Sequence, residues 1–188
     1  MQEIEILGKI GEDLNQAKEK LASFDFQGEK KTLDVYYFDT KRKNLQPDKD
    51  MSLNECFRLR VKGDKNYLTY KIDNFDEKGE WAYSDEHESE FKNLEAVTKI
   101  IEHLGLKKLI EIKNNKHIYT TDKFEIVLED VKDLGLFLEV EILKPGKDVN
   151  IQIVKTEIRN FINNLGLSFE ELNVGKPELM LRKKNSNL

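Results

Sequence analysis

Apolar and charged positions alternate with a period of two along much of this chain. Gln2–Leu7 sets Glu3 and Glu5 against Ile4 and Ile6, the pattern of a strand with two unlike faces. Cys56–Val61 sets Arg58 and Arg60 against Phe57, Leu59 and Val61. The turn Gly63-Asp64-Lys65-Asn66 then leads into Tyr67–Ile72, where Lys71 opposes Leu68, Tyr70 and Ile72, so the two strands read as a hairpin. Further strands are predicted over Leu33–Asp39, Glu86–Phe91, Leu109–Lys113, Lys116–Thr121, Lys123–Glu129 and Phe137–Leu143.

Three stretches switch to helical spacing. Leu14, Ala17 and Leu21 mark a helix over Glu12–Leu21. Leu94, Val97, Ile101 and Leu104 mark a second, capped by Asn93 and stopped by Gly105. Ile151, Val154, Ile158, Phe161, Ile162 and Leu165 mark the strongest, over Val149–Leu165. Residues 24–31 read as a turn-rich connection, Lys41–Asn54 and Asp73–Gly79 as polar loops, and Pro145-Gly146 as a break. The fold class predicted is α+β: an antiparallel sheet with enough strands to close into a barrel, its apolar outer face covered by amphipathic helices. The charged face then turns inward.

Composition narrows the function. A chain of 188 residues fits one domain, assigned to 1–181, with 182–188 as a basic, frayed tail. A net charge of −5 argues against a general nucleic-acid binder. There is no long apolar run and no signal-like start, which predicts a soluble, cytoplasmic protein without a membrane partner. The single cysteine, Cys56, excludes an internal disulfide, and the three histidines lack metal-ligand spacing.

A charged interior is costly unless its charges are paired or occupied by ligand. Inward arginines and lysines suit a polyanion, because guanidinium grips phosphate oxygens bidentately. Inward carboxylates suit hard divalent cations that bridge to phosphate. Both sets in one cavity point to metal-assisted phosphoryl chemistry on a polyphosphorylated substrate.

Six motifs follow one another in a telling order: Glu3-Ile4-Glu5, Tyr36-Tyr37-Phe38-Asp39, Arg58-Leu59-Arg60, Leu68-Thr69-Tyr70-Lys71, Glu88-Ser89-Glu90, and Leu134 through Glu141. Together they resemble the CYTH proteins, the triphosphate tunnel metalloenzymes, with local likeness to the class IV adenylate cyclase branch. The resemblance implies an eight-stranded antiparallel barrel whose tunnel binds triphosphate. It implies Mg²⁺ or Mn²⁺ on Glu3, Glu5, Glu88, Glu90, Glu129, Glu139 and Glu141. It also implies phosphate contacts and catalytic roles for Arg58, Arg60 and Lys71, with Lys113 and Lys116 as further phosphate-binding residues. The substrate would be ATP, thiamine triphosphate or tripolyphosphate, and a homodimer stays open.

Two reactions fit such a site: cyclisation of ATP to cyclic AMP and pyrophosphate, or hydrolysis of a nucleoside, thiamine or inorganic triphosphate. A non-catalytic polyphosphate or nucleotide binder is the alternative, motivated by three departures. The family's Glu-x-Glu-x-Lys has Leu7 at its lysine. A Lys-x-Arg pair is reduced to Asn114-Asn115-Lys116, with Lys113 adjacent. A Ser-Tyr pair near the C-terminus becomes Gly175-Lys176 ahead of Pro177-Glu178-Leu179. Lys9 is in phase with Glu5 but roughly 6–7 Å beyond position 7 at strand rise, so it compensates only if the strand continues past Gly8.

Overall fold

The computed structural model describes residues 2–145 and 149–186. The first strand runs as β1 (Gln2–Glu3) and β2 (Glu5–Ile10), interrupted only at Ile4, and α1 (Leu14–Leu21) follows. Long strands β3 (Asp25–Phe38), β4 (Glu55–Lys62), β5 (Lys65–Phe75) and β6 (Trp81–Phe91) come next, then α2 (Leu94–His103). Strands β7 (Lys107–Thr120), β8 (Phe124–Val131) and β9 (Gly135–Ile142) precede α3 (Ile151–Asn164). A short β10 (Phe169–Glu171) and α4 (Lys176–Ser186) end the described chain.

The strands form one antiparallel sheet in the order β1-β6-β5-β4-β3-β7-β8-β9-β2-β10. Its two edges meet in the first strand, because Gln2 and Glu3 pair with β6 while Glu5 to Lys9 pair with β9. Taking β1 and β2 as one strand, with β3 through β9, the curl is the eight-stranded barrel that the resemblance implies. The outer face is apolar and carries the helices. Ala17 of α1 and Val154, Ile158 and Ile162 of α3 pack on Ile4, Ile126, Leu128, Leu138 and Val140. Ile101 of α2 covers Tyr37 and Leu59. Asn93 caps α2 as expected, while Asp13 caps α1 in a capping box with Gln16 and Asn150 caps α3, each a residue or two inside the expected start.

Several boundaries differ from expectation, each for a tertiary reason. Residues 25–31 are strand, since thirteen register positions from Asp25 to Phe38 pair with β7. The bulge between Phe26 and Gly28 is where Gly28 takes φ 116°, a conformation that costs glycine little. The two strands expected over 109–121 are one, β7, and the loop expected at Asp73 begins three residues later because β5 continues along β6. The loop between β3 and β4 is as expected, apart from a single 3₁₀ turn at Lys43–Leu45. The segment expected to fray instead continues α4 through Ser186, with Arg182 Nε donating to the Asp50 carbonyl. Residues 187 and 188 of that segment lie outside the described residues, as does Gly146 of the expected break. No helix among the described residues is long and apolar enough to cross a membrane.

The barrel interior has two halves. One is apolar: Leu7, Tyr36, Cys56, Trp81, Ile110, Ile112, Val131 and Phe137 pack with Leu53 and with Met180 and Leu181 of α4. This plug and helix α4 stop that end of the barrel. The other half is charged.

Strand β10 leans on β2 at Gly8, where a Cβ would meet the Phe169 ring at 2.3 Å and the Glu170 carbonyl at 2.5 Å. Gly8→Val therefore costs about 1–3 kcal/mol through overpacking, measured as a lower urea midpoint at unchanged slope.

Candidate active site

Strand alternation fills the charged half. Glu3, Glu5, Arg58, Arg60, Lys71, Lys116 and Glu139 all line one cavity of about 100 Å³. The unlike signs are paired, between neighbouring strands and beyond them. Lys71 Nζ donates to Glu3 Oε2 at 2.7 Å and to Glu5 Oε1 at 3.0 Å, and it stands over the Trp81 ring. Arg60 forks onto Asp34, with Nε–Oδ1 and Nη2–Oδ2 both 2.7 Å. Lys116 reaches Glu129 at 3.0 Å.

Arg58 is held less tightly. Its Nη2 lies 3.6 Å from Glu86 and 3.5 Å from Glu88, and it donates to Thr69 Oγ1 at 3.2 Å. Its Nε is buried with no hydrogen-bond partner among the described residues. A buried guanidinium donor left open in this way is a place for a ligand oxygen.

Not every predicted residue comes to the cavity. Lys113 is exposed in a shallow groove with Lys31 and Asp130 on the other side of β7. Because β7 is one strand, positions 113 and 116 fall on opposite faces, so Lys113 cannot stand in for a missing tunnel cation. Glu90 pairs at the surface with Lys65 beside the β4–β5 turn, away from the cavity. Glu88 sits at the rim, accepting from Thr69 Oγ1 at 2.8 Å. Glu129 is fully buried on the inward face of β8, outside the cavity lining, where it accepts from Asn114 and pairs with Lys116 and Lys176. It is placed to position lysines. Lys9 does continue the strand in phase, but it is exposed beyond the plug, over the Phe137 ring.

Other residues of the site carry weaker signals in the sequence. Asp34 alternates with Val35 and Tyr37 in β3 and serves the cavity as the partner of Arg60, outside its lining. Asp73 is in phase with Lys71 but fell in a segment read as loop. Lys176 comes from outside the barrel strands and carries no periodic signal. Its Nζ lies 2.7 Å from Glu129 and 2.6 Å from Glu139.

The electrostatics are those of crowded carboxylates. Burial, reinforced by Glu3 and Glu139, raises Glu5 to about 7 despite Lys71. Glu141 faces Glu5 on one side and Glu125 on the other in the strand register, and like charges directly opposite repel. Burial, then Glu3, Glu5 and Glu139, lift Glu141 to about 9. Burial also opposes the charge on Glu139, but Lys176 and Lys116 outweigh it and hold that carboxyl well below the ordinary range. For Asp34, likewise, Arg60 outweighs burial and lowers the value.

Among the described residues, no three histidine, cysteine or carboxylate side chains converge as a ready-made metal site. The donor chemistry still fits a hard divalent cation. Burial and neighbouring carboxylates, Glu139 among them, raise the proton affinity of Glu3, Glu5 and Glu141, an excess of negative charge that a cation relieves. Two lysines pair with three of these carboxylates, Lys71 with Glu3 and Glu5 and Lys176 with Glu139.

Comparison with known proteins agrees with this geometry. Residues 1–172 match the family model described as CYTH domain. The chain is 30% identical over 185 residues to a Methanocaldococcus jannaschii protein named "putative adenylate cyclase", covering 97% of this chain and 99% of the relative. The PH1819 protein of Pyrococcus horikoshii superposes with a TM-score of 0.80 at 26% identity, covering 96% of this chain and 99% of that one. A Hippeastrum protein described as a "putative adenylyl cyclase" with a dominant triphosphatase activity shares the fold, with a TM-score of 0.61 at 14% identity over 93% and 92% of the two chains.

The raised carboxyls set a pH dependence. Between the ordinary value of 4.5 and about 7 for Glu5, or about 9 for Glu141, the folded state holds protons that the unfolded chain has lost. Stability therefore falls as pH rises through that window. Asp34 and Glu139 have the opposite sign and lose their stabilisation in acid. In metal-free buffer the melting temperature should decline from pH 5 to pH 9. Glu141→Gln should flatten the decline and raise the pH 8 value by about 2–4 °C.

Proposed function

The chain belongs to the CYTH family, and we propose that it is an enzyme acting on a triphosphate held in this charged tunnel with Mg²⁺ or Mn²⁺. The observation that carries the proposal is Arg58, inside the cavity with a buried Nε that lacks a hydrogen-bond partner among the described residues. Protein carboxylates already pair with Arg60, Lys71, Lys116 and Lys176, and a phosphate oxygen would complete Arg58.

The division of labour follows from how firmly each cation is held. Arg60 is locked by the Asp34 fork and offers a fixed positive reference for the substrate. Arg58, on longer contacts to Glu86 and Glu88, turns toward phosphate at little cost. Lys71 and Lys116 are flexible point charges that transfer from carboxylate to phosphate oxygens. Glu3, Glu5, Glu139 and Glu141 would hold the metal ion, which supplies charge neutralisation across the phosphates.

Hydrolysis is the leading reaction. It needs only a water in line with the terminal phosphorus, whereas cyclisation also needs a ribose 3′-hydroxyl aligned on the α-phosphorus. The cyclase reading is kept second because the M. jannaschii relative bears that name.

Incubation with ATP, thiamine triphosphate and tripolyphosphate, with Mg²⁺ and separately with Mn²⁺, should yield orthophosphate on ion-exchange chromatography. Cyclic AMP with pyrophosphate would instead select cyclisation. Saturable, metal-dependent binding without turnover would sink the enzyme reading in favour of a polyphosphate or nucleotide binder. Arg58→Ala should lower kcat about 10²-fold or more with the melting temperature little changed, and unaltered kinetics would count against the assignment.

A further inference from the structure

We infer that Lys176, at the start of α4, is a phosphate-contacting residue of the tunnel and fills the position that the first strand leaves without a cation at Leu7. The inference rests on the tunnel being a polyphosphate site.

The register makes the vacancy explicit. Leu7 lies directly across from Glu139 in the β2–β9 pairing, and its side chain lines the same cavity as Glu3 and Glu5. A cation at position 7 would stand beside Glu139. Leucine instead belongs to the apolar plug and is 2% exposed. Among the described residues, Glu139 forms an ion pair with one cation, Lys176. Glu129, the second partner of Lys176, is also met by Lys116 and by Asn114. Neutralising Glu129 is therefore shared work, and the contact peculiar to Lys176 is the one with Glu139.

The approach of Lys176 is built by its neighbours. Gly175 lets the chain pass close to α4, since a Cβ there would meet the Glu178 carboxylate at 2.9 Å. Pro177 sits in the first turn of the helix, where its missing N–H costs nothing. Met180 and Leu181 anchor that helix in the plug. The lysine thus enters on a rigid mount, with a flexible four-carbon stem and a mobile ammonium. Polyphosphate offers it oxygens in exchange for Glu139.

Calorimetric titration with tripolyphosphate at fixed Mg²⁺ tests this, with melting temperatures as the fold check. Lys176→Met and Lys176→Gln should weaken Kd about 10- to 100-fold, while Lys176→Arg keeps most of the affinity. Leu7→Lys combined with Lys176→Met should recover binding, because the new ammonium arrives opposite Glu139. Folded Met and Gln variants that bind as the wild type does would overturn the inference, as would a double variant no tighter than Lys176→Met. If Arg58→Ala loses binding while Lys176→Met does not, the tunnel reading stands and only the role of Lys176 falls. A wild-type protein that takes up no tripolyphosphate would remove both.

Discussion

Repulsion among carboxylates where the barrel closes is the constraint on which the rest depends. The first strand must pair with β6 through Glu3 and with β9 through Glu5, which brings Glu3 and Glu5 against Glu139 and Glu141. Left alone, that cluster would oppose closure. Lys71 crosses the tunnel to Glu3 and Glu5, and Lys176 enters from α4 to Glu139. Closing the barrel and placing the two lysines are thus one event. The same pairing offsets the cost of the charged interior, because buried charge is tolerated when it is paired and hydrogen-bonded.

The division of the interior follows from this. Where charges can be paired across the lumen, the barrel stays polar and hollow. Where they cannot, Leu7, Ile110, Ile112 and Phe137 fill it with the apolar residues of α4. Leu7 lies at the border, and its identity decides that the border falls two residues after Glu5. The helices outside and the plug inside supply the hydrophobic burial that offsets the strain of the charged half.

Much of the site was legible because strands expose their inward set as every second residue. Glu3 with Glu5, Arg58 with Arg60, and Glu139 with Glu141 all follow that rule, and all but Glu141 reach the main cavity, with Glu141 at its mouth. The rule fails where register or strand length is unknown. Lys113 was grouped with Lys116 because one long strand was read as two. Glu90 obeys the alternation yet lies past the rim, where the hairpin has left the barrel. Asp34 had the right phase, but its worth lies in the fork onto Arg60, a contact between neighbouring strands that no local pattern encodes.

Sequence alone determined the alternation, the three amphipathic helices with the Asn93 cap, and hence an antiparallel barrel with apolar outside and charged inside. Those are local properties, set by side-chain period and backbone hydrogen bonding. Tertiary structure decided which charges meet. Ion pairs such as Lys71 with Glu5 and Lys176 with Glu139 join residues distant in the chain, and their existence depends on strand order, closure and the path of α4. For that reason Leu7 looked like a lost charge in the sequence. In the folded protein an ammonium from a different element stands beside Glu139, directly across from it.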